Sequence, residues 1–493
     1  MAGGAALLYA TEHEDPSAGP SRLRGDQRSI SAFELGQHNR HDNLWVAIDG
    51  EVWDVTDFVQ RHPGGSQILI DHAGKDVTKL FKGIHPAGTL EQNLREEQRM
   101  GRLDEDAIAK FRTMNGDEED RIRKARDSLL GIDSIIVLDD FEKYARPVCP
   151  ASAWDYYSTG VEGENSMKEN SAIYDRVFFR PRVMRDVSDV DTSTKVLGVS
   201  SSIPLYVSPT ARNGLVQPMG EVAVTKGAAA GGILQVLSHV ASKSLEEVMK
   251  ARSKGQQVAW QMYMKPDREV AAAEVRKAYE LGAQSIWLTV DTVVLGKRTR
   301  ERYTQVEKQP APHGTKLTRV PCSREAQALT RHSRHDTNLT WEDIQMIKKN
   351  APGLPVVLKG VGAWEDVVLA QQAGADAVVL SNHGGRQLDY ANPPLKTLYD
   401  LNENAPQCLR RPDFQVFVDG GIRRGTDVLK ALCLGANAVG LGRPFIYAAA
   451  GWGPDGVEKA IMILREELEI SMRLLGVTNI DQLGPEYLNC SRI

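Results

Sequence analysis

The chain has little cysteine for its 493 residues: Cys149, Cys322, Cys408, Cys433 and Cys490 are scattered, odd in number and never in CxxC spacing. That argues against a disulfide framework and a cysteine-held metal, and fits a reducing compartment. The chain also lacks any apolar run approaching the roughly 18 residues of a membrane-spanning helix. Its longest candidate, Val222 to Ala241, is interrupted by Lys226 and predicts a helix followed by a strand. Nor is positive charge in excess. Against 60 Lys and Arg stand 65 Asp and Glu, a net charge of −5, which argues against a nucleic-acid partner. The N-terminus lacks the Arg-rich, acid-poor character of a mitochondrial presequence, since Glu12, Glu14 and Asp15 fall within it. Ala5 to Ala10 is too short for a secretory core. Residues 1–29 are therefore expected to be a disordered N-terminus, with the cytoplasm as the default location. What is present is ordinary globular composition, 41% hydrophobic and 25% charged, over a length that calls for two or more domains.

Residues 30–103 form the first expected module. Leu44–Ile48 and Glu51–Val55 alternate around Asp49-Gly50, a strong hairpin signal. His62 opens the segment His62-Pro-Gly-Gly65, and His85 closes Phe81-Lys-Gly-Ile-His85, 23 residues further on. Two imidazoles, each beside an apolar helical stretch, suit ligation of a haem iron from opposite faces. Gly64 and Gly65 would let the backbone pass close to the porphyrin edge. His38, His41 and His72 lie nearby, so the motif and its spacing, not histidine content, single out His62 and His85. Residues 104–130 are dense in charge and predict an exposed linker with a helical tract around Glu118 to Leu130.

From 131 to 493, short apolar runs alternate with helical stretches. Strands are predicted at Pro204–Val207, Ile233–Leu237, Val258–Gln261, Ile286–Val290, Val356–Leu358, Val378–Leu380, Val416–Val418 and Ala438–Leu441. Eight βα units in about 250 residues predict an α/β (β/α)8 TIM barrel, whose working groups gather where the strands end. Those ends carry Thr210 and Ala211, Ser238, Gln261 and Tyr263, Thr289 and Asp291, then Lys359, His383 and Arg386, Asp419 to Arg423, and Gly442 with Arg443. Asp419-Gly-Gly-Ile-Arg-Arg-Gly425 and Gly440-Leu-Gly-Arg-Pro444 follow strands seven and eight, the usual phosphate positions of this barrel. Strand six runs into Ser381-Asn-His-Gly-Gly-Arg-Gln-Leu-Asp389. That loop sets a base able to take a proton near neutral pH beside a planar fork that grips a carboxylate, which suits oxidation of a 2-hydroxy acid.

On His62-Pro-Gly-Gly65, Trp45-Val46 and Gly74-Lys-Asp-Val77, the first module resembles the cytochrome b5 family, an α+β fold. The resemblance implies haem b, with His62 and His85 as its ligands. On Trp154-Asp-Tyr-Tyr-Ser158, Thr289-Val-Asp291, Lys359-Gly360 and the glycine-rich segments above, residues 135–483 resemble the FMN-dependent 2-hydroxy-acid oxidase and dehydrogenase family. The two modules in this order are similar to that family's cytochrome-linked L-lactate dehydrogenases. The resemblance implies His383 as proton acceptor, Asp291 as the group that holds its ring, and Arg386 with Tyr156 on the substrate carboxylate. It implies Tyr263 on the substrate hydroxyl, Lys359 beside the flavin, and Arg298 as a second, mobile arginine. Thr210, Ala211, Ser238, Gln261 and Thr289 would bind the isoalloxazine ring. Asp419, Gly420, Gly421, Arg423, Gly442 and Arg443 would hold ribityl and phosphate. Ala211 and Val240 would face the substrate side chain, and Val240, one methylene smaller than the usual Leu, would deepen that pocket.

The implied partners are a small 2-hydroxy acid and a one-electron acceptor such as cytochrome c, in a homotetramer. The family's usual acceptor makes the mitochondrial intermembrane space the alternative location. Three segments depart from the family pattern: Ser238-His-Val-Ala-Ser-Lys243, Asp291-Thr-Val293 and Gln217-Pro-Met-Gly-Glu221. Residues 299–338 are expected to form a long mobile loop over the active face. Two other readings stay open: an oxidase in which flavin reacts with oxygen, and a haem protein whose barrel does not turn over. Proton abstraction from carbon and hydride transfer are not distinguished.

Overall fold

The computed structural model describes residues 28–40, 42–62, 69–70, 72–85, 88–301, 303 and 336–493. Outside these residues lie nearly all of the expected disordered N-terminus, His41, Gly64 and Gly65 of the haem motif, Cys322, and most of the loop expected over 299–338.

The first module is built on a five-stranded sheet. Its central hairpin pairs Asn43–Ile48 with Glu51–Asp54, Ile48 opposite Glu51. Asp49 and Gly50 close it at φ 53° and 79°, the positive pair that a two-residue hairpin turn needs. Alternation along the strands sorts the side chains into two buried clusters. Leu44, Val46 and Ile48 pack with Val55, Val59 and Val77, while Trp45, Ala47 and Val52 pack with Ile30, Leu35 and Leu103. The period of two thus buries both faces of this small sheet.

The charged segment after it is one helix, Glu105–Asp127, longer than the tract expected from 118 to 130. Asp104 starts it early, its side chain accepting the N–H of Ala107 at 2.6 Å as an N-cap. The helix is also tied to the second module. Arg121 donates to the carbonyls of Pro147 and Cys149, and Arg126 to those of Ala450 and Val216.

The second module is a closed barrel of eight parallel strands in sequential order. They span Leu205–Val207, Leu234–Leu237, Val258–Met262, Ile286–Thr289, Val356–Val361, Ala377–Leu380, Gln415–Asp419 and Ala438–Leu441. Each predicted strand is found, with ends moved by at most three residues, and strand eight closes on strand one with Val439 opposite Leu205. Tyr206, Val236, Trp287, Val379 and Phe417 make one buried cluster, with the Trp287 and Phe417 rings stacked at 5.7 Å. Their strand neighbours Leu205, Leu237, Leu288, Leu380 and Val418 belong to another. The barrel is therefore a packed core, and the site is built from the segments that follow its strands. The helix of Glu221–Gly231 and the strand of Leu234–Leu237 divide the apolar stretch from Val222 to Ala241 as predicted. Among the described residues, no helix is long and apolar enough to cross a membrane.

Candidate active site and haem pocket

Strand six ends at Leu380, and the chain then takes three consecutive left-handed residues, His383, Gly384 and Gly385, at φ 58°, 63° and 75°. A side chain is costly there, and His383 is held by its N–H donating to Ser381 Oγ at 3.1 Å. A Cβ on Gly385 would stand 2.5 Å from the Met167 nitrogen, so the backbones can meet only without one. Asp389 pins the far end of the loop, accepting from Gly163 N–H, Asn165 Nδ2 and Ser166 N–H.

The imidazole of His383 has its Nδ1 2.9 Å from Asp291 Oδ1. Thr292 Oγ1 donates to the same carboxylate oxygen at 2.8 Å. Gly360, at φ 109°, passes so close that a Cβ would lie 2.5 Å from Asp291 Cγ. Because Nδ1 is engaged by the carboxylate, Nε2 is the nitrogen that can accept a proton. Burial lowers the His383 pKa below its ordinary value, Lys359 and Arg386 push the same way, and Asp291 opposes them. Burial would raise Asp291, but His383 and Lys359 outweigh it and hold the carboxyl low. The pair at neutral pH is thus a neutral imidazole on a carboxylate, the resting state of a general base.

Arg386 donates through Nη1 to the carbonyls of Tyr156 at 2.7 Å and Thr159 at 3.2 Å. It lies 5.0 Å over the Tyr156 ring, while Arg298 and Arg212 lie over the same ring at 5.2 and 5.5 Å. Burial and the nearby Arg298 charge push the Arg386 guanidinium down to about 9. Burial alone would raise the Tyr156 phenol, but the three guanidiniums hold it below its ordinary range. Arg298 is paired with Glu301 at 3.5 Å, and a substrate carboxylate fits the planar forks of the cluster. Tyr263 lines the same cavity. Its phenol is held above the ordinary value by burial and by Asp291, and it is therefore a hydrogen-bond donor.

This cavity, of about 150 Å³, is walled by Tyr156, Thr210, Ala211, Ser238, Tyr263, Arg298, Lys359, His383, Arg386, Asp419, Gly420, Gly421, Arg423, Gly442 and Arg443. Lys359 is buried, its Nζ 3.4 Å from Ser381 Oγ and 3.7 Å from Asp419 Oδ2. Asp419 Oδ1 is buried without a hydrogen-bond partner among the described residues, an acceptor suited to a ribityl hydroxyl. At the cavity's phosphate-type end, Gly442 precedes the helix of Arg443–Leu475, and Arg423 and Arg443 stand beside it. These donors fit FMN: cation and N–H groups for its phosphate, an orphan carboxylate oxygen for its polyol, and Lys359 for the electron-rich ring.

Gln261, Thr289 and Val240 are expected site residues that are not on that wall. Gln261 and Thr289 are buried and bonded to each other, Gln261 Nε2 donating to Thr289 Oγ1 at 2.9 Å, and neither lines the cavity. Val240, expected on the substrate side, lines the wall of a second cavity. Its carbonyl accepts from Arg212 N–H at 3.1 Å, which fixes the turn. The one-methylene argument for a deeper substrate pocket therefore has no support in this geometry. Tyr157 was not anticipated. Its hydroxyl donates to the carbonyls of Ala211 and Arg212, and its own carbonyl accepts from Arg443 Nε. Only its place beside Tyr156 signalled it. Glu221 of the altered motif is also structural: its carboxylate accepts the N–H groups of Asn213, Ser242 and Lys243 and so ties the loops after strands one and two.

The second cavity, of about 280 Å³, is lined mainly by the first module, by Val46, Ile48, Val55, Phe58, Phe81 and Leu94 among others, with His62 and His85 on its wall. The two imidazole centroids are 6.0 Å apart. Two imidazole–metal bonds of about 2 Å each put ring centroids at about that separation. His85 Nδ1 is 3.1 Å from the Phe81 carbonyl, which assigns Nε2 to a metal. An apolar slot with two opposed histidines fits haem b. His72 also lines the cavity. His38 does not: its ring stacks on Trp45 at 3.3 Å and its Nδ1 meets Asn43 Oδ1.

Comparison with known proteins agrees with both halves. Residues 145–490 match the FMN-dependent dehydrogenase family model, and residues 31–104 match the cytochrome b5-like heme/steroid binding domain. An L-lactate dehydrogenase (cytochrome) of Wickerhamomyces anomalus is 42% identical over 93% of this chain and 79% of its own. The Saccharomyces cerevisiae protein of the same name is 40% identical over 100% and 85%. An L-lactate oxidase of Nostoc is 37% identical but matches only 73% of this chain. A flavocytochrome b2 mutant solved with pyruvate bound superposes with a TM-score of 0.69 at 41% identity, covering 76% of this chain and 91% of that one.

Proposed function

The chain belongs to the FMN-dependent dehydrogenase family, carried behind a cytochrome b5-like domain, and from that premise we propose that it oxidises L-lactate or a close L-2-hydroxy acid to the 2-oxo acid. FMN held in the barrel cavity would supply the acceptor for the substrate's electron pair, and haem b held by His62 and His85 would supply one-electron transfer to an acceptor such as a c-type cytochrome. One observation carries the chemistry: the His383–Asp291 pair at 2.9 Å opens on the same cavity as Arg386 and Tyr156. In this reading Arg386, with Tyr156, holds the substrate carboxylate, and Tyr263 donates to the substrate oxygen. His383 Nε2 takes the proton that leaves, and Asp291 stabilises the imidazolium. Lys359 offsets negative charge on the flavin ring, and Arg423 and Arg443 hold the phosphate. Gln261 donates to Thr289 and accepts the His239 N–H, and so positions the turn that carries Ser238. The haem domain is taken as residues 30–103, joined through 104–130 to the barrel at 131–493.

The test is an anaerobic absorption spectrum of the purified protein before and after adding L-lactate. Haem reduction is expected. Bleaching of flavin alone, with turnover only in oxygen, would make the protein an oxidase. No change across a panel of L-2-hydroxy acids would refute the enzyme reading. Reduction of added cytochrome c, with fractionation between cytosol and intermembrane space, tests the acceptor and its compartment. Sedimentation tests the homotetramer.

A further inference from the structure

The wall of the haem pocket is not supplied by the first module alone. Arg212, His239, Val240 and Ala241, from the turns after barrel strands one and two, complete it. The helix of Thr78–Ile84 packs on the turn of Asn213–Leu215 next to them. Among the described residues on that wall, Arg212 is the only Arg, Lys, Asp or Glu. Its backbone is locked in the left-handed region, at φ 60° and ψ 38°. Its carbonyl accepts from Tyr157 Oη at 2.8 Å, and its N–H donates to Val240. Its Nε is buried with no hydrogen-bond partner among the described residues.

The guanidinium lies 5.5 Å over the Tyr156 ring, which compensates a cation only in part. A buried guanidinium N–H without an acceptor is costly unless a ligand supplies one. The ligand that fits the apolar slot between His62 and His85 carries its negative charge in two propionate groups. We propose that Arg212 binds a haem propionate, so that a barrel residue clasps the cofactor of the other domain where the two meet. The same guanidinium rests on Tyr156, which lines the substrate cavity, so one side chain joins the haem edge to the substrate site. The proposal rests on the haem b reading above.

The experiment uses the full-length holoprotein loaded with haem b or with its dimethyl ester, which has no propionate charge. The readout is the rate at which each is lost to excess apomyoglobin. A charge-assisted hydrogen bond predicts that esterification speeds loss from the wild type about tenfold or more. In Arg212→Leu the ester should change the rate less than about threefold, because the partner is already gone. Arg212→Lys and Arg212→Gln stand beside it in case the Leu variant does not fold. Lys should keep an intermediate ester effect and Gln little. The same ester effect in wild type and in any folded neutral variant would overturn the role of Arg212 while leaving the haem reading intact. Failure of the wild type to give a b-type spectrum would overturn both.

Discussion

Replacing Asp291 with Asn removes one charge and almost no volume, at a carboxylate 2.9 Å from His383 Nδ1. The imidazolium formed as substrate is oxidised then loses its counter-ion. Two unit charges about 4 Å apart interact by about 4 kcal/mol at an effective dielectric near 20. An amide oxygen in the same place recovers part of this as a neutral hydrogen bond. The net loss of transition-state stabilisation is therefore about 2–4 kcal/mol, or roughly 30- to 1,000-fold in rate. Anaerobic stopped-flow measurement of flavin reduction by L-lactate isolates the step from haem and acceptor. Substrate affinity should change little, because Arg386 is anchored separately on the Tyr156 and Thr159 carbonyls. The pH dependence checks the sign. His383 must be neutral to accept a proton, and burial already holds its pKa below the ordinary value against the opposing pull of Asp291. Removing that pull lowers it further, so the acid limb of kcat/KM moves to lower pH and the lost rate is not recovered by raising pH. A variant within about threefold of wild type, or an acid limb that moves upward, would refute the reasoning.

Arg386→Lys should lower kcat/KM by about 100-fold or more, since an ammonium cannot both hold the carbonyl anchors and fork a carboxylate; steady-state kinetics with L-lactate read this directly. His62→Ala or His85→Ala should abolish a six-coordinate b-type spectrum while substrate still reduces the flavin, and a normal haem spectrum in either would transfer the ligand role to His72. Gly360→Ala puts a Cβ 2.5 Å from Asp291 Cγ, so it should cut flavin reduction sharply and cost about 1–3 kcal/mol of stability by overpacking. Urea unfolding and the FMN content of the purified variant check that the loss is local.

The local rules recovered most of the architecture. Largely apolar runs of three to five residues, each ended by Gly or a polar side chain, mark all eight barrel strands, because a strand buried on both faces is apolar along most of its length. Asp49-Gly50 marked its hairpin because few other pairs tolerate two positive φ values. The active cavity was legible for a related reason. In a barrel, whatever follows each strand is brought to one end, so Lys359, His383, Asp419 and Arg443 converge without any sequence proximity. The charged segment after the first module was read too loosely. Charge density reports exposure of a face, not the absence of a helix, and Asp104 capped one earlier than the charge pattern indicated.

What the sequence by itself determined, then, is which elements form, that two modules stand in series, and which chemical groups are delivered to the strand ends and to the haem slot. Tertiary structure decided what those groups touch. Nothing local says that Gln261 donates to Thr289 and accepts the His239 N–H. Nor does it say that Val240 turns to the second cavity, or that Tyr157 bridges Ala211 and Arg443. Such contacts join positions tens to hundreds of residues apart, set by barrel closure and by the packing of one module on the other. Arg212 is the clearest case. In sequence it is an unremarked residue after Ala211, and only folding places its guanidinium between Tyr156 and the haem pocket. A side chain's neighbours across space follow from strand register and domain contact, and neither is encoded within a few residues of it.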